Sequence, residues 1–230
     1  DILVKLIKGG SNVEMADGNK NTLLMTASNR GHVDLVKALL NKGANTKAVN
    51  KDGKTAAKFA RDGEKLDVLV ELVKGGSDVE MPDGSKNTLL MFAAKRGHVD
   101  LVKALVGNVA NVKAVNKEGK TAANFARDGE KLDVLVELVK GGSEVEMADG
   151  NGNTLLMFAA KRGHVDLMKA LLEKGSNVNA LNKEGKTAAN FSQGTDGHKH
   201  SELFLSYGIN VKNIKGASVI QECDKDPIKF

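Results

Sequence analysis

A spacing of 33 residues governs this chain. Thr22, Thr55, Thr88, Thr121, Thr154 and Thr187 stand 33 apart in every case, and six occurrences without a slip exclude coincidence. A second period lies over the first: FARDGEKLDVLVELVKGGS at 59–77 returns unchanged at 125–143, an offset of 66. The unit is therefore a pair of related modules, one opening NTLLM and the other KTAA. A module of this length cannot bury its own apolar face, and only stacking on neighbours gives it a core, so the chain is restricted to a solenoid.

Each module reads as two short helices. In the first kind, Thr88 caps a helix through LLMFAAKR that stops at Gly97, and HVDLVKALV follows with Val99, Leu101, Val102 and Leu105 as its apolar stripe. In the second kind, Thr121 opens AANFAR, Gly129 breaks it, and LDVLVELV runs to Gly141-Gly142. Polar stretches rich in turn formers, such as GANTKAVNKDG (43–53), join the modules. The core must come from Leu, Val, Ala, Met and a few Phe, because aromatics are only 3% of the 230 residues and Trp is absent.

The segment GNTLLMFAAKRGHVDLMKALLEKGSNVNA (152–180) resembles an ankyrin repeat: a Gly-x-Thr opening, a double Ala, Gly-His, a Val/Leu-rich helix, and a Gly followed by a small residue. The resemblance covers about 1–215, and 33 is the ankyrin period. It implies an all-α ankyrin-repeat solenoid of stacked helix pairs with β-hairpin-like connecting loops. DILVKLIKGGSNVEM (1–15) aligns with DVLVELVKGGSDVEM (67–81), so 1–17 reads as a half repeat and the chain opens in mid-repeat. Full repeats are expected at about 18–50, 51–83, 84–116, 117–149 and 150–182, a capping repeat at 183–215, and a tail at 216–230.

The chain departs from the family pattern in places. The Pro after Thr is Leu23, Leu89 and Leu155 in one module type and Ala56, Ala122 and Ala188 in the other. The His two residues later is Met25, Met91 and Met157, or Lys58, Asn124 and Asn190, which predicts loss of the hydrogen bond that His supplies. In the second module type the inter-helix Gly falls one place early, at Gly63 and Gly129, ahead of Glu64 and Glu130, which predicts an altered loop. Where Gly43 and Gly175 end a helix, the third module has Val109, a β-branched residue in a left-handed position, and the nearby Gly107 is expected to take over that role.

Catalytic chemistry finds no foothold. No phosphate-cradling loop, nucleophile elbow or H-E-x-x-H is present. His32, His98 and His164 recur at an offset of 66, which on stacked helix layers means about 20 Å, too far for one metal. They match the family position where His packs at the start of the second helix. His198 and His200 form an H-x-H short of a ligand set. Cys223, the single cysteine, excludes an internal disulfide and a cysteine zinc site. Asn190-Phe191-Ser192 is a glycosylation triplet inside a helix, hence accidental. Phe59, Phe92, Phe125, Phe158 and Phe191 form a ladder, expected to stack Phe on Phe between modules, and Met25, Met91 and Met157 are expected to fill gaps. No metal, cofactor or enzymatic activity is expected.

What remains is surface. In the family, inner helices and hairpin tips line a concave groove where partners bind. Carried over to this chain, the inner helix ends give Asn29, Arg30, Lys95, Arg96, Lys161 and Arg162, with Asp62 and Asp128 in the other module type. The tips give Lys51, Asp52 and Lys54, then Lys117, Glu118 and Lys120, then Lys183, Glu184 and Lys186. Arg96 is expected to bridge to Asp62 or Asp128. The groove has a basic surplus, in keeping with a net charge of +5 and a pI near 9.1, and suits an acidic protein surface. The resemblance implies a non-catalytic scaffold that binds a protein on its concave face. Its alternative is the binding arm of a larger enzyme or of a host-directed secreted effector. Nucleic acid is disfavoured by the scarcity of aromatics. A monomer in the cytoplasm is the expected state, and no apolar run approaches the roughly 18 residues of a membrane span.

Overall fold

The computed structural model describes residues 12–191, together with 4, 5, 7, 9, 10, 203, 204, 206 and 207. Eleven helices are placed among them: α1 Leu23–Arg30, α2 Val33–Asn41, α3 Ala56–Asp62, α4 Leu66–Lys74, α5 Leu89–Arg96, α6 Val99–Gly107, α7 Ala122–Asp128, α8 Leu132–Lys140, α9 Leu155–Arg162, α10 Val165–Glu173 and α11 Ala188–Phe191. No strand is present among the described residues. The loops before the Thr-capped helices carry only isolated bridges, Ala16 with Thr22 and Ala148 with Thr154. Most of the expected capping repeat, the tail at 216–230, Ser192, His198, His200 and Cys223 lie outside the described residues.

Two compact units are delimited within α8, one ending at Leu138 and the other beginning at Val139. In the first unit the short inner helices pack in pairs, α1 on α3 and α5 on α7, while the outer helices α2, α4 and α6 pack in sequence. In the second unit α9 packs on both α10 and α11. Small residues permit the close approach of inner helices: Ala27, Ala57, Ala60, Ala93, Ala94 and Ala126 are almost fully buried. The outer helices fill the remainder with Leu35, Leu39, Leu69, Leu72, Leu101 and Leu105.

The starts and stops follow local chemistry. Thr22, Thr88 and Thr154 accept from the backbone N–H of Met25, Met91 and Met157, satisfying a donor that has no partner within the helix. Helices α1, α5 and α9 end at Gly31, Gly97 and Gly163 with φ of 78, 74 and 68°, the left-handed turn that glycine adopts without penalty.

The departures resolve in three ways. First, the lost His hydrogen bond is replaced in the two KTAA modules that carry Asn at this position, and not in the one that carries Lys58, whose ammonium pairs with Asp62 instead. Asn124 Oδ1 accepts from Thr121 N and Oγ1 at 2.8 and 2.9 Å, and Asn190 does the same for Thr187 at 2.7 and 3.0 Å. In NTLLM modules the thioether is a weak substitute, with Thr22 N and Thr154 N each 3.4 Å from a Met Sδ. Second, the early glycines do not turn left: Gly63 and Gly129 have φ of −87 and −90°, and the left-handed turn falls on Glu64 and Glu130 at 52 and 53°. Third, Gly107 stays in helix α6 and does not relieve Val109, which takes φ of 65° itself, against 80 and 82° at Gly43 and Gly175.

Candidate functional site

The hairpin loops preceding the Thr-capped helices are fastened to one another in pairs. Asp17 Oδ2 accepts from Asn21 Nδ2 at 2.9 Å, and Asn21 Oδ1 accepts from Asn50 Nδ2 in the next hairpin at 2.9 Å. The same relay joins Asp83, Asn87 and Asn116 at 3.0 and 2.8 Å, and in the second unit Asp149, Asn153 and Asn182 at 2.9 and 2.7 Å. Asn50, Asn116 and Asn182 are buried, and each Oδ1 also accepts two backbone N–H groups of its own turn. A second fastener runs beside the first: Glu14, Glu80 and Glu146 accept from the N–H of Asn45, Asn111 and Asn177 at 2.8, 2.8 and 2.7 Å. The hydrogen bonds from Asn21 hold the Asp17 carboxyl below its ordinary pKa. For Asp83, partial burial acts upward but is outweighed by the side-chain and backbone hydrogen bonds of Asn87, so its pKa is also lowered. Sequence reading missed this network, although Asp17, Asp83 and Asp149 recur at the same 66-residue offset as the threonines of one module type.

Between one hairpin pair and the next in the first unit the fastener changes. Buried Arg61, at the end of α3, donates to the carbonyl of Met81, to Asn87 O at 3.0 Å and to Asp83 Oδ2 at 3.4 Å. Its guanidinium also lies 5.7 Å from the centre of the Phe92 ring.

The expected site residues stand on these hairpins and on the inner helix ends. Asn29, Arg30, Asp62, Lys95, Arg96, Asp128, Lys161 and Arg162 are all exposed. The Phe ladder is not sandwiched between modules as expected: Phe59, Phe92, Phe125, Phe158 and Phe191 are only half-buried. Each has a cation over its ring: Lys54 at 5.5 Å from Phe59, Arg96 at 5.5 Å from Phe92, Lys120 at 5.8 Å from Phe125, Arg162 at 5.8 Å from Phe158 and Lys186 at 6.0 Å from Phe191. These distances fall within the reach of cation–π attraction.

The ion pairs also differ from expectation. Arg96 pairs with Glu64, not with Asp62 or Asp128, because the left-handed turn at Glu64 places its carboxylate beside the next module. Asp62 pairs with Lys58 at 3.0 Å and Lys54 at 3.4 Å. Burial acts upward on its carboxyl, but the hydrogen bonds and charge of Lys58 and Lys54 prevail and hold its pKa down. Asp128 pairs with Arg127 at 3.3 Å and Lys120 at 3.7 Å, and Lys186 pairs with Glu184 at 2.7 Å. Hydrogen bonding and charge from Lys186, with a further contribution from Lys161, lower the Glu184 pKa. The tips Lys51, Lys117 and Lys183 each donate a backbone N–H to the neighbouring hairpin, at Asn19, Ser85 and Asn151, all at 3.0 Å.

The histidines serve the helix starts. His98 Nδ1 accepts from Leu101 N at 3.1 Å, which leaves Nε2 to carry the hydrogen toward Asp67 Oδ1 at 3.2 Å. His164 Nδ1 accepts from Leu167 N at 3.2 Å, whereas His32 makes no side-chain cap. Among the described residues no three His, Cys, Asp or Glu side chains gather as metal ligands, and no helix is long and apolar enough to cross a membrane.

Family models of ankyrin repeats match the chain, one for three copies over residues 1–83 and 125–215 and another for many copies over 72–126. Among solved structures, an ankyrin repeat domain from Acinetobacter baumannii AYE is similar at 28% identity and a TM-score of 0.52, over 75% of this chain and 92% of that one. The human ASB11 ankyrin repeat domain matches at 25% identity and a TM-score of 0.48, over 86% of this chain and 90% of that one. No curated protein sequence matches the chain.

Proposed function

From a chain that belongs to the ankyrin-repeat family we infer a module that binds an acidic protein surface on the face formed by its inner helices and hairpin tips. Ankyrin repeats are generally protein–protein interaction modules, and their fold is typically non-catalytic. The finer reading is carried by one observation, the cation held over each half-exposed Phe. An arginine or lysine lying on an aromatic ring is oriented in advance of binding, so less side-chain freedom is lost when a carboxylate arrives. In the first unit these rungs are Lys54 on Phe59, Arg96 on Phe92 and Lys120 on Phe125.

The carboxylates that already touch these cations are exposed, and exposed pairs contribute only about 0–1 kcal/mol each. A partner carboxylate therefore competes with Asp62, Glu64 and Asp128 at little cost. Asn29, Arg30 and Lys95 extend this face in the first unit, and Lys161 and Arg162 are their counterparts in the second. In this reading the repeats are the modules of about 18–50, 51–83, 84–116, 117–149 and 150–182, preceded by the half repeat 1–17 and followed by the capping repeat 183–215. The chain acts as a monomer.

The test captures partners with the intact chain and repeats the capture with Arg30, Arg96 and Arg162 all changed to Glu, following helicity in parallel. Loss of the captured protein with folding intact supports the reading. Unchanged capture with intact folding moves the interface elsewhere, and collapse of the helical signal shows that the arginines are structural.

A further inference from the structure

Two hairpins of the first unit carry the same five residues, KAVNK, at 47–51 and 113–117. The central valines do not join the core: Val49 is 54% exposed and Val115 56%. Lys47 and Lys51 flank the first and Lys113 and Lys117 the second, all four exposed. Lys47, Lys113 and Lys117 enter no ion pair among the described residues, and Lys51 contributes only a favourable field at Asp17. The intervening hairpin places Pro82, also exposed, at the corresponding position.

These are not loose loops. Asn50 and Asn116, next to each valine, are buried and bonded on both sides of the amide. Lys47 N and Lys113 N donate to Asn45 and Asn111 Oδ1 at 2.9 and 3.0 Å, so both ends of each KAVNK turn are fixed. An exposed β-branched side chain on a rigid turn between two lysines is a preformed contact for an apolar group flanked by carboxylates. Of the acidic residues of the adjoining hairpins, Glu14 and Glu80 are held by Asn45 N and Asn111 N, and Asp17 and Asp83 by Asn21 and Asn87, and among the described residues none of the four forms an ion pair with the lysines of these turns.

We propose that the two KAVNK turns grip one extended acidic segment of a partner protein, each valine seating an apolar side chain that stands between two carboxylates. This rests on the acidic-partner reading above and specifies the partner's sequence. Val49 and Val115 are two modules apart, about 20 Å at about 10 Å per helix layer. An extended chain advances roughly 3.1–3.4 Å per residue, so the two acidic-apolar clusters are about six residues apart.

The probe is a fluorescein-labelled peptide, Glu-Leu-Glu-Ser-Ala-Ser-Glu-Leu-Glu, titrated against the full chain by anisotropy. Two companions accompany it: one with both Leu changed to Ser, and one with every Glu changed to Lys. The expected order is tightest for the parent, about tenfold weaker for the Ser peptide, and no binding for the Lys peptide. The double variant Val49→Ser/Val115→Ser, at exposed positions, is expected to abolish the preference for Leu while binding the Ser peptide as before. Equal affinity for the Leu and Ser peptides overturns the inference and leaves the acidic-partner reading standing. Preference for the Lys peptide, or no binding of either acidic peptide, overturns both. A Leu preference that survives in the double variant places the apolar contact elsewhere and also overturns the inference.

Discussion

Replacing Val109 by Gly should stabilise the first unit, and the structure supplies each contribution. Val109 has φ of 65°, a region that is steeply unfavourable for a β-branched residue. Left-handed strain of this kind costs about 1–3 kcal/mol. The side chain is 89% exposed, so deleting it loses about a tenth of a valine's burial, roughly 0.2 kcal/mol. Glycine also gains freedom in the unfolded chain, which offsets about 0.5–1 kcal/mol. The net gain is about 1 kcal/mol, or roughly 2–4 °C in Tm for a chain of this size. The backbone hydrogen bonds that close the turn, Val109 N to Val106 O at 3.1 Å and Ala110 N to Leu105 O at 3.0 Å, do not involve the side chain and should persist. Urea unfolding followed by circular dichroism gives the midpoint and slope together. The reverse change, Gly43→Val, is the control: a Cβ there meets nothing within 4 Å, so only backbone strain is added and the midpoint should fall by a similar amount. A lower midpoint for Val109→Gly at unchanged slope would refute the strain argument.

Three further outcomes follow from the geometry. Ser77→Ala should raise stability by about 1 kcal/mol, because Ser77 Oγ is buried without a hydrogen-bond partner and the equivalent Ala44 and Ala110 show that a methyl fits; a lowered unfolding midpoint would point to a hidden partner. Asn116→Ala should cost about 2–3 kcal/mol, since it strands Asn87 Oδ1 and the N–H groups of Glu118 and Lys120, and amide exchange at those two residues should accelerate; unchanged exchange would refute the relay. Because the folded pKa of Asp83 lies below its ordinary 3.8, its stabilising contribution is complete above that value and is lost as pH falls through the lower folded one. Asp83→Asn should accordingly flatten the acid limb of a Tm-versus-pH curve, and an unaltered limb would show that the charge is not coupled to folding.

The architecture was legible because it follows from local chemistry repeated at a fixed interval. Threonine caps, the glycine stops at Gly31, Gly97 and Gly163, and the buried Leu and Ala positions follow from spacing alone. The choice of ion-pair partner did not. Arg96 reaches Glu64 because a one-residue shift of glycine puts a non-glycine residue in the left-handed turn, and that redirects the carboxylate. The half-exposure of Phe59, Phe92 and Phe125 depends on the phase of short helices, a rotation that a period of 33 does not specify. Asn124 and Asn190 replace the His hydrogen bond through side-chain reach, which residue type suggests only once the Thr hydroxyl and Asn amide are seen together.

The hairpin relay imposes a rule of parity on how such a chain can grow. At one position of the repeat the residue alternates, Asp17, Asn50, Asp83, Asn116, Asp149 and Asn182, and four places on it alternates between asparagine and lysine. The amide of Asn50 gives its hydrogen to Asn21. Were a single 33-residue module copied beside itself, an aspartate would occupy that place, and two acceptors would face each other with no hydrogen between them. Copying two modules together keeps donor opposite acceptor within each pair of hairpins, as in Asn21 with Asn50 and Asn87 with Asn116. By this pairing, a gain or loss of 66 residues preserves the relay and one of 33 breaks it, in keeping with the 66-residue offset at which the sequence itself repeats.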